Sequence, residues 1–162
     1  MKPAPVITGA LPGSFTPTPA GDSPLLDRVG YLLAKTHVQI RERANAMLRP
    51  LELDVIQFGA LTALETAGPR SQQGLGTLIG CDRTTMVEII DRLEASGYVK
   101  RQRNPEDRRA YALEITPRGA KAQAKAAALV VSLEEEFLAP LSGKERDSLR
   151  DMLRRVLLRE SD

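Results

Sequence analysis

Five cationic side chains, Lys100, Arg101, Arg103, Arg108 and Arg109, lie within ten residues of one another and are opposed only by Glu106 and Asp107. Clustered guanidinium and ammonium groups of this kind neutralise phosphates and release condensed counterions from a nucleic acid. Arginines at a hairpin tip also suit a narrow minor groove, where the negative potential is enhanced. Asp107, two residues before Arg109, is placed to hold that guanidinium in one pose through a charge-assisted hydrogen bond. Just upstream, Arg83, Thr84, Thr85 and Glu88 occupy the polar side of a segment whose apolar stripe is Met86, Ile89, Ile90 and Leu93. Arginine pairs bidentately with the guanine edge, and threonine bonds a base or meets the thymine methyl. The chemistry these residues point to is the reading of duplex DNA.

Whole-chain electrostatics would not drive such binding, because the net charge of the 162 residues is only +2. The distribution matters more than the sum: the basic cluster contrasts with the acidic run Glu134, Glu135 and Glu136. With one histidine (His37), one cysteine (Cys81), no glycine-rich phosphate loop and no nucleophile motif, an enzyme is disfavoured. Neither lone residue makes a metal site or a disulfide by itself, so no metal and no cofactor are expected. No apolar run is long enough to span a bilayer. The first segment is interrupted by Pro3, Pro5, Pro12, Pro17 and Pro19 and does not read as a signal peptide, so a cytoplasmic location is expected.

The elements that must position these groups are mainly helical. Residues 1–22, rich in Pro, Thr and Gly, are expected to form a flexible arm. Ser23 reads as the N-cap of a first helix, with Pro24 in the favoured first position and Leu26, Val29, Leu33, Ile40, Ala44 and Met47 at helical spacing as far as Pro50. Asp54 with Gln57 forms a capping-box pattern at the start of a second helix, stopped by Gly68-Pro69. Ser71 caps a short third helix ending at Gly80, and Asp82 caps a fourth that Gly97 stops. Two strands follow, Tyr98 to Arg103 and residues 109–115, with Tyr111, Leu113 and Ile115 on one face and Asn104-Pro105-Glu106-Asp107 as the turn. Thr116-Pro117 opens a long Ala-rich fifth helix to Leu138. Ser142 with Glu145 opens a sixth to about Glu160, with an apolar line of Leu149, Met152, Leu153, Val156 and Leu157.

The expected fold is thus mainly α with a small β-wing. Residues 23–53 (first helix) and 117–162 (fifth and sixth helices) form a dimerisation lobe, and residues 54–116 form a winged helix-turn-helix unit. Narrow apolar stripes at the two chain ends have little to cover them within one subunit, which makes a homodimer the economical arrangement.

The stretch LGTLIGCDRTTMVEIIDRLEASGYVKRQRNPEDRRAYALEITPRG resembles the winged-helix core of the MarR family, the multiple-antibiotic-resistance-type regulators. The closest matches are IIDRLEASGYVKR, the wing NPEDRRA with Asp107-x-Arg109-Ala110, and the closing ITPRG. This resemblance implies a homodimeric transcriptional regulator, usually a repressor, on a pseudo-palindromic operator. Arg83, Thr84 and Thr85 would read the major groove, and Arg109, oriented by Asp107, would enter the minor groove. It also implies a small aromatic or phenolic acid as effector, held between the dimer lobe and the winged helix. There the candidate contacts are Tyr31, His37 and Arg41 on the first helix and Gln57 and Phe58 on the second. Two other readings stay open: a redox-responsive regulator acting through Cys81, which precedes the cap of the fourth helix, and a winged helix that binds protein.

Overall fold

The computed structural model describes residues 19–103 and 111–158. Six α-helices and one two-stranded sheet follow in the order α1 (Val29–Leu48), α2 (Val55–Ala67), α3 (Gln72–Ile79), α4 (Arg83–Ala95), β1 (Val99–Arg103), β2 (Tyr111–Ile115), α5 (Pro117–Phe137) and α6 (Gly143–Leu157). Most boundaries follow local chemistry. Asp54 accepts hydrogen bonds from the N–H groups of Ile56 and Gln57, while the Gln57 side chain accepts from Asp54 N at 2.9 Å, completing a capping box on α2. Ser142 and Glu145 do the same for α6.

The start of the chain differs from the sequence expectation. Ser23 does act as a cap, but of a 3₁₀ turn over Pro24–Asp27. Arg28 is then extended (φ −102°, ψ 110°), and α1 begins only at Val29 without a side-chain cap. The cap-plus-proline signal specifies the first turn, and nothing local obliges that turn to continue.

The core gathers the inner faces of α2, α3, α4 and the sheet against the middle of α5. Leu48, Leu61, Leu75, Met86, Ile90, Leu93 and Leu113 are fully buried within it. The strands pair antiparallel, Val99 opposite Ile115 through Arg103 opposite Tyr111. A third piece of backbone joins them: Arg70, in the α2–α3 link, exchanges both hydrogen bonds with Leu113 (3.1 and 2.7 Å). Of the expected face of β2, Leu113 is buried and Ile115 half-buried, whereas Tyr111 is exposed because it lies beyond the core towards the wing.

Among the described residues, α6 has no extensive packing against another element. Its line Met152, Leu153, Val156 and Leu157 is exposed, Val156 by 65% and Leu157 by 81%. The exposed apolar side chains Val29, Leu32 and Leu33 of α1 and Val131 of α5 add to this uncovered surface.

Candidate nucleic-acid interface

Two glycine-terminated helix ends bracket α4. At the end of α3, Gly80 (φ 69°) lets Cys81 N reach Gly76 O at 2.8 Å and Gly80 N reach Thr77 O, the paired bonds of a Schellman motif. The chain then turns at once into Asp82, whose carboxylate accepts from Thr84 N (2.9 Å), Thr85 N (3.1 Å) and the Thr85 hydroxyl (2.6 Å). The bond from the Thr85 hydroxyl, followed by those from the backbone, holds the Asp82 carboxyl below its ordinary range. At the far end Gly97 (φ 70°) repeats the Schellman pattern, with Tyr98 N to Leu93 O at 2.8 Å and Gly97 N to Glu94 O at 2.9 Å. The helix that carries the candidate base-reading residues is therefore fixed in length at both ends.

Arg83, Thr84 and Glu88 are exposed on α4, opposite the buried Met86, Ile89, Ile90 and Leu93. Thr85 is half-buried, with its hydroxyl committed to the cap. The cap also occupies the first-turn N–H groups of residues 84 and 85. A phosphate thus finds fewer free donors at this helix start than the sequence alone suggests.

The wing is tied to α4 by Arg101. Its guanidinium bridges Asp91 (2.8 Å) and Glu94 (3.0 Å), two carboxylates on consecutive turns of α4. Asp91 and Glu94 are functional neighbours that sequence reasoning missed. The signal was there, since an i, i+3 carboxylate pair precedes a cationic strand, but no local rule says which strand cation they face. Lys100 pairs across the sheet with Glu114 at 3.3 Å. Arg103 pairs through its backbone with Tyr111. The predicted wing residues Asp107, Arg108 and Arg109 lie outside the described residues, as does the side chain of Arg103.

The base of the wing is closed by Thr116-Pro117-Arg118-Gly119. The Thr116 hydroxyl donates to Gly97 O at 2.7 Å and accepts from Gly119 N at 3.0 Å, while Thr116 N donates to Tyr98 O. Gly119 packs so tightly that a Cβ there would lie 2.9 Å from Tyr98 C and from Ile115 Cγ1, and well inside contact distance of Tyr98 O. Arg118 lies over the Tyr98 ring at 5.4 Å, and the Tyr98 hydroxyl donates to Leu51 O at 3.0 Å. This motif clamps the end of α4, the base of the sheet and the start of α5 into one unit.

Of the candidate effector contacts, His37, Arg41 and Phe58 line one cleft of about 260 Å³ between α1, α2 and α5, with Ile40, Ala44, Val55, Val130, Leu133 and Glu134. Gln57 and Tyr31 do not line it. Gln57 is 5% exposed and serves the α2 cap, and Tyr31 lies under Lys35 at 5.8 Å. Cys81 is half-buried in a separate cleft between α3 and α4. Burial, then the neighbouring Asp82 carboxylate, pushes its thiol pKa up. That favours the neutral, less reactive form, opposite to what a helix N-terminus alone would do. Among the described residues no three His, Cys, Asp or Glu side chains come together as a metal site, and no helix is long and apolar enough to cross a membrane.

Residues 54–111 match the MarR family model. A transcriptional regulatory protein ascribed to the hcr operon of Thauera aromatica is 32% identical over 105 residues, which span 65% of this chain and 63% of that protein. Among solved structures, the transcriptional repressor CouR bound to a 23-mer DNA duplex superposes with a TM-score of 0.76 at 32% identity, covering 82% of this chain and 94% of that one. CouR from Rhodococcus jostii RHA1 bound to p-coumaroyl-CoA gives a TM-score of 0.74 at 27% identity, covering 85% of this chain and 97% of that one. With the capped recognition helix, the clamped wing and these similarities together, the chain belongs to the MarR family of winged-helix transcriptional regulators.

Proposed function

We propose that this regulator is a homodimeric repressor that holds a pseudo-palindromic operator and is released by a small aromatic or phenolic acid or its thioester. The observation that carries the DNA reading is α4: a doubly terminated helix whose outward side presents Arg83, Thr84 and Glu88 beside a strand pair leading into the wing. In this reading Arg83 and Thr84 meet base edges in the major groove, with Glu88 beside them and Thr85 buttressing the cap. Arg103, Arg108 and Arg109 serve the minor groove and flanking phosphates, with Asp107 orienting Arg109. Arg101 acts as a positioning residue through Asp91 and Glu94.

The exposed apolar line of α6, with those of α1 and α5, supports a homodimer in which two-fold symmetry places the recognition helices about one DNA turn apart. The cleft lined by His37, Arg41 and Phe58 supports an effector with a flat ring and an anionic group. Its wall is largely apolar, and Arg41 offers a forked donor to a carboxylate. An effector that binds better when the recognition helices have the wrong spacing favours DNA release.

The test is selection of bound genomic fragments, followed by light scattering of the complex with the recovered operator. Two protomers per duplex and affinity falling steeply with salt are expected. Tight, salt-insensitive binding, or one protomer per site, overturns the reading in favour of a protein-binding winged helix.

A further inference from the structure

We infer that Val87 is a specificity-determining residue that reads the 5-methyl group of one thymine in each operator half-site. The inference rests on the DNA-binding reading above and extends it to a residue that the polar pattern of α4 does not reveal. Three side chains separate the cap from Met86, the first residue of the core stripe, and the fates of these four differ. Arg83 and Thr84 are exposed, Thr85 gives its hydroxyl to Asp82, and Met86 is buried. The next two outward positions are Val87, 40% exposed, and Glu88.

Singly exposed apolar residues are ordinary on protein surfaces. Val87 differs in its place. It stands four residues after Arg83 and three after Thr84, so that its methyl groups continue the row those two begin. It also lines the open cleft between α3 and α4. A β-branched side chain is a poor choice for an exposed helix position on propensity grounds. Thr84 on this row has a hydroxyl beside its methyl, whereas Val87 offers only apolar atoms and so suits recognition of a methyl by apolar contact. Side chains at i and i+4 have Cβ atoms about 5–6 Å apart, and base pairs stack about 3.4 Å apart. The thymine in question therefore lies within about two base pairs of the base met by Arg83.

The test uses the full-length protein and the selected operator, in which each thymine in turn is replaced symmetrically by deoxyuridine, removing only the methyl. For the wild type, one thymine per half-site should lower affinity about fourfold per half-site when demethylated, which corresponds to ~0.8 kcal/mol for a buried methyl-sized group. In Val87→Ala that position should become insensitive, while the remaining uridine profile and binding to random-sequence duplex stay unchanged. Alanine at an exposed helix position does not threaten folding. If the uridine profile of Val87→Ala equals that of the wild type, or if no wild-type position is sensitive, Val87 is not a reader and this inference alone falls. If the wild type shows no preference for any duplex, the DNA-binding reading fails and takes this inference with it.

Discussion

Replacing Gly119 by alanine should destabilise this protein even though alanine is the best helix former. In an unobstructed helix the change would add stability, by about 1 kcal/mol. At Gly119 the new methyl would sit 2.9 Å from Ile115 Cγ1 and from Tyr98 C, and closer still to Tyr98 O. Carbon pairs are comfortable at about 3.5–4.0 Å, so α5 must retreat by half an ångström or more. Two of the three obstructing atoms are backbone, which gives way less readily than the end of a side chain. The retreat also strains the Thr116 hydroxyl bonds to Gly97 O (2.7 Å) and Gly119 N (3.0 Å) that join α4 to α5. Overpacking of this kind costs about 1–3 kcal/mol, and weakening the two bonds adds about 1 kcal/mol. The net expectation is a loss of roughly 2 kcal/mol, or a fall in Tm of about 4–8 °C for a chain of this size. The assay is thermal unfolding followed by circular dichroism at fixed protomer concentration, since the proposed homodimer would make Tm concentration-dependent. Gly59→Ala is the control: it lies within α2 with nothing within 4 Å of a built Cβ and should hold or raise Tm. A Gly119→Ala protein as stable as the Gly59→Ala protein would refute the close approach and with it the clamp at the base of the wing.

Three further outcomes follow from the same geometry. The Asp82 carboxyl, held below its ordinary range by Thr85 and the backbone, contributes stability that is fully present above the unfolded value and is lost as pH falls through the lower folded one. Carboxyl NMR should show Asp82 titrating below the ordinary aspartate value; a normal value would mean that the cap does not form in solution. Arg101→Gln removes the tether to Asp91 and Glu94 but, being partly exposed, should cost less than about 1 kcal/mol of stability. Operator affinity should fall several-fold, and unchanged affinity would remove Arg101 from the positioning of the wing. Cys81, with its thiol pKa raised, should react with iodoacetamide at neutral pH more slowly than a free cysteine. Cys81→Ser should keep any response to a phenolic effector. Loss of an oxidant response in that variant would revive the redox reading.

Which parts of this were legible in the linear chain follows from the range of each interaction. Caps and stops are decided within four residues, so Asp54 with Gln57, Ser71, Gly80, Asp82, Gly97, Thr116 and Ser142 all act at the helix ends where their types place them. The apolar stripe of α4 and its polar opposite face follow from the helical period alone. The first helix misled because Ser23-Pro24 specifies only a turn, and whether that turn runs on into a helix is not a local property.

Tertiary structure decided what each polar group was free to do. The Thr85 hydroxyl and the Gln57 side chain are already committed to the local caps at Asp82 and Asp54, and packing adds burial of Gln57 to that commitment. Arg101 looks like a wing phosphate contact until Asp91 and Glu94 meet it. The pairing of Arg70 with Leu113, the need for glycine at position 119, and the gathering of His37, Arg41 and Phe58 into one cleft span tens of residues of chain. Residue type and periodicity determine which groups exist and which face they share. Only the packing of distant segments determines which of them are already spent on the protein itself, because hydrogen bonds and excluded volume act over a few ångströms of space whatever the separation in sequence.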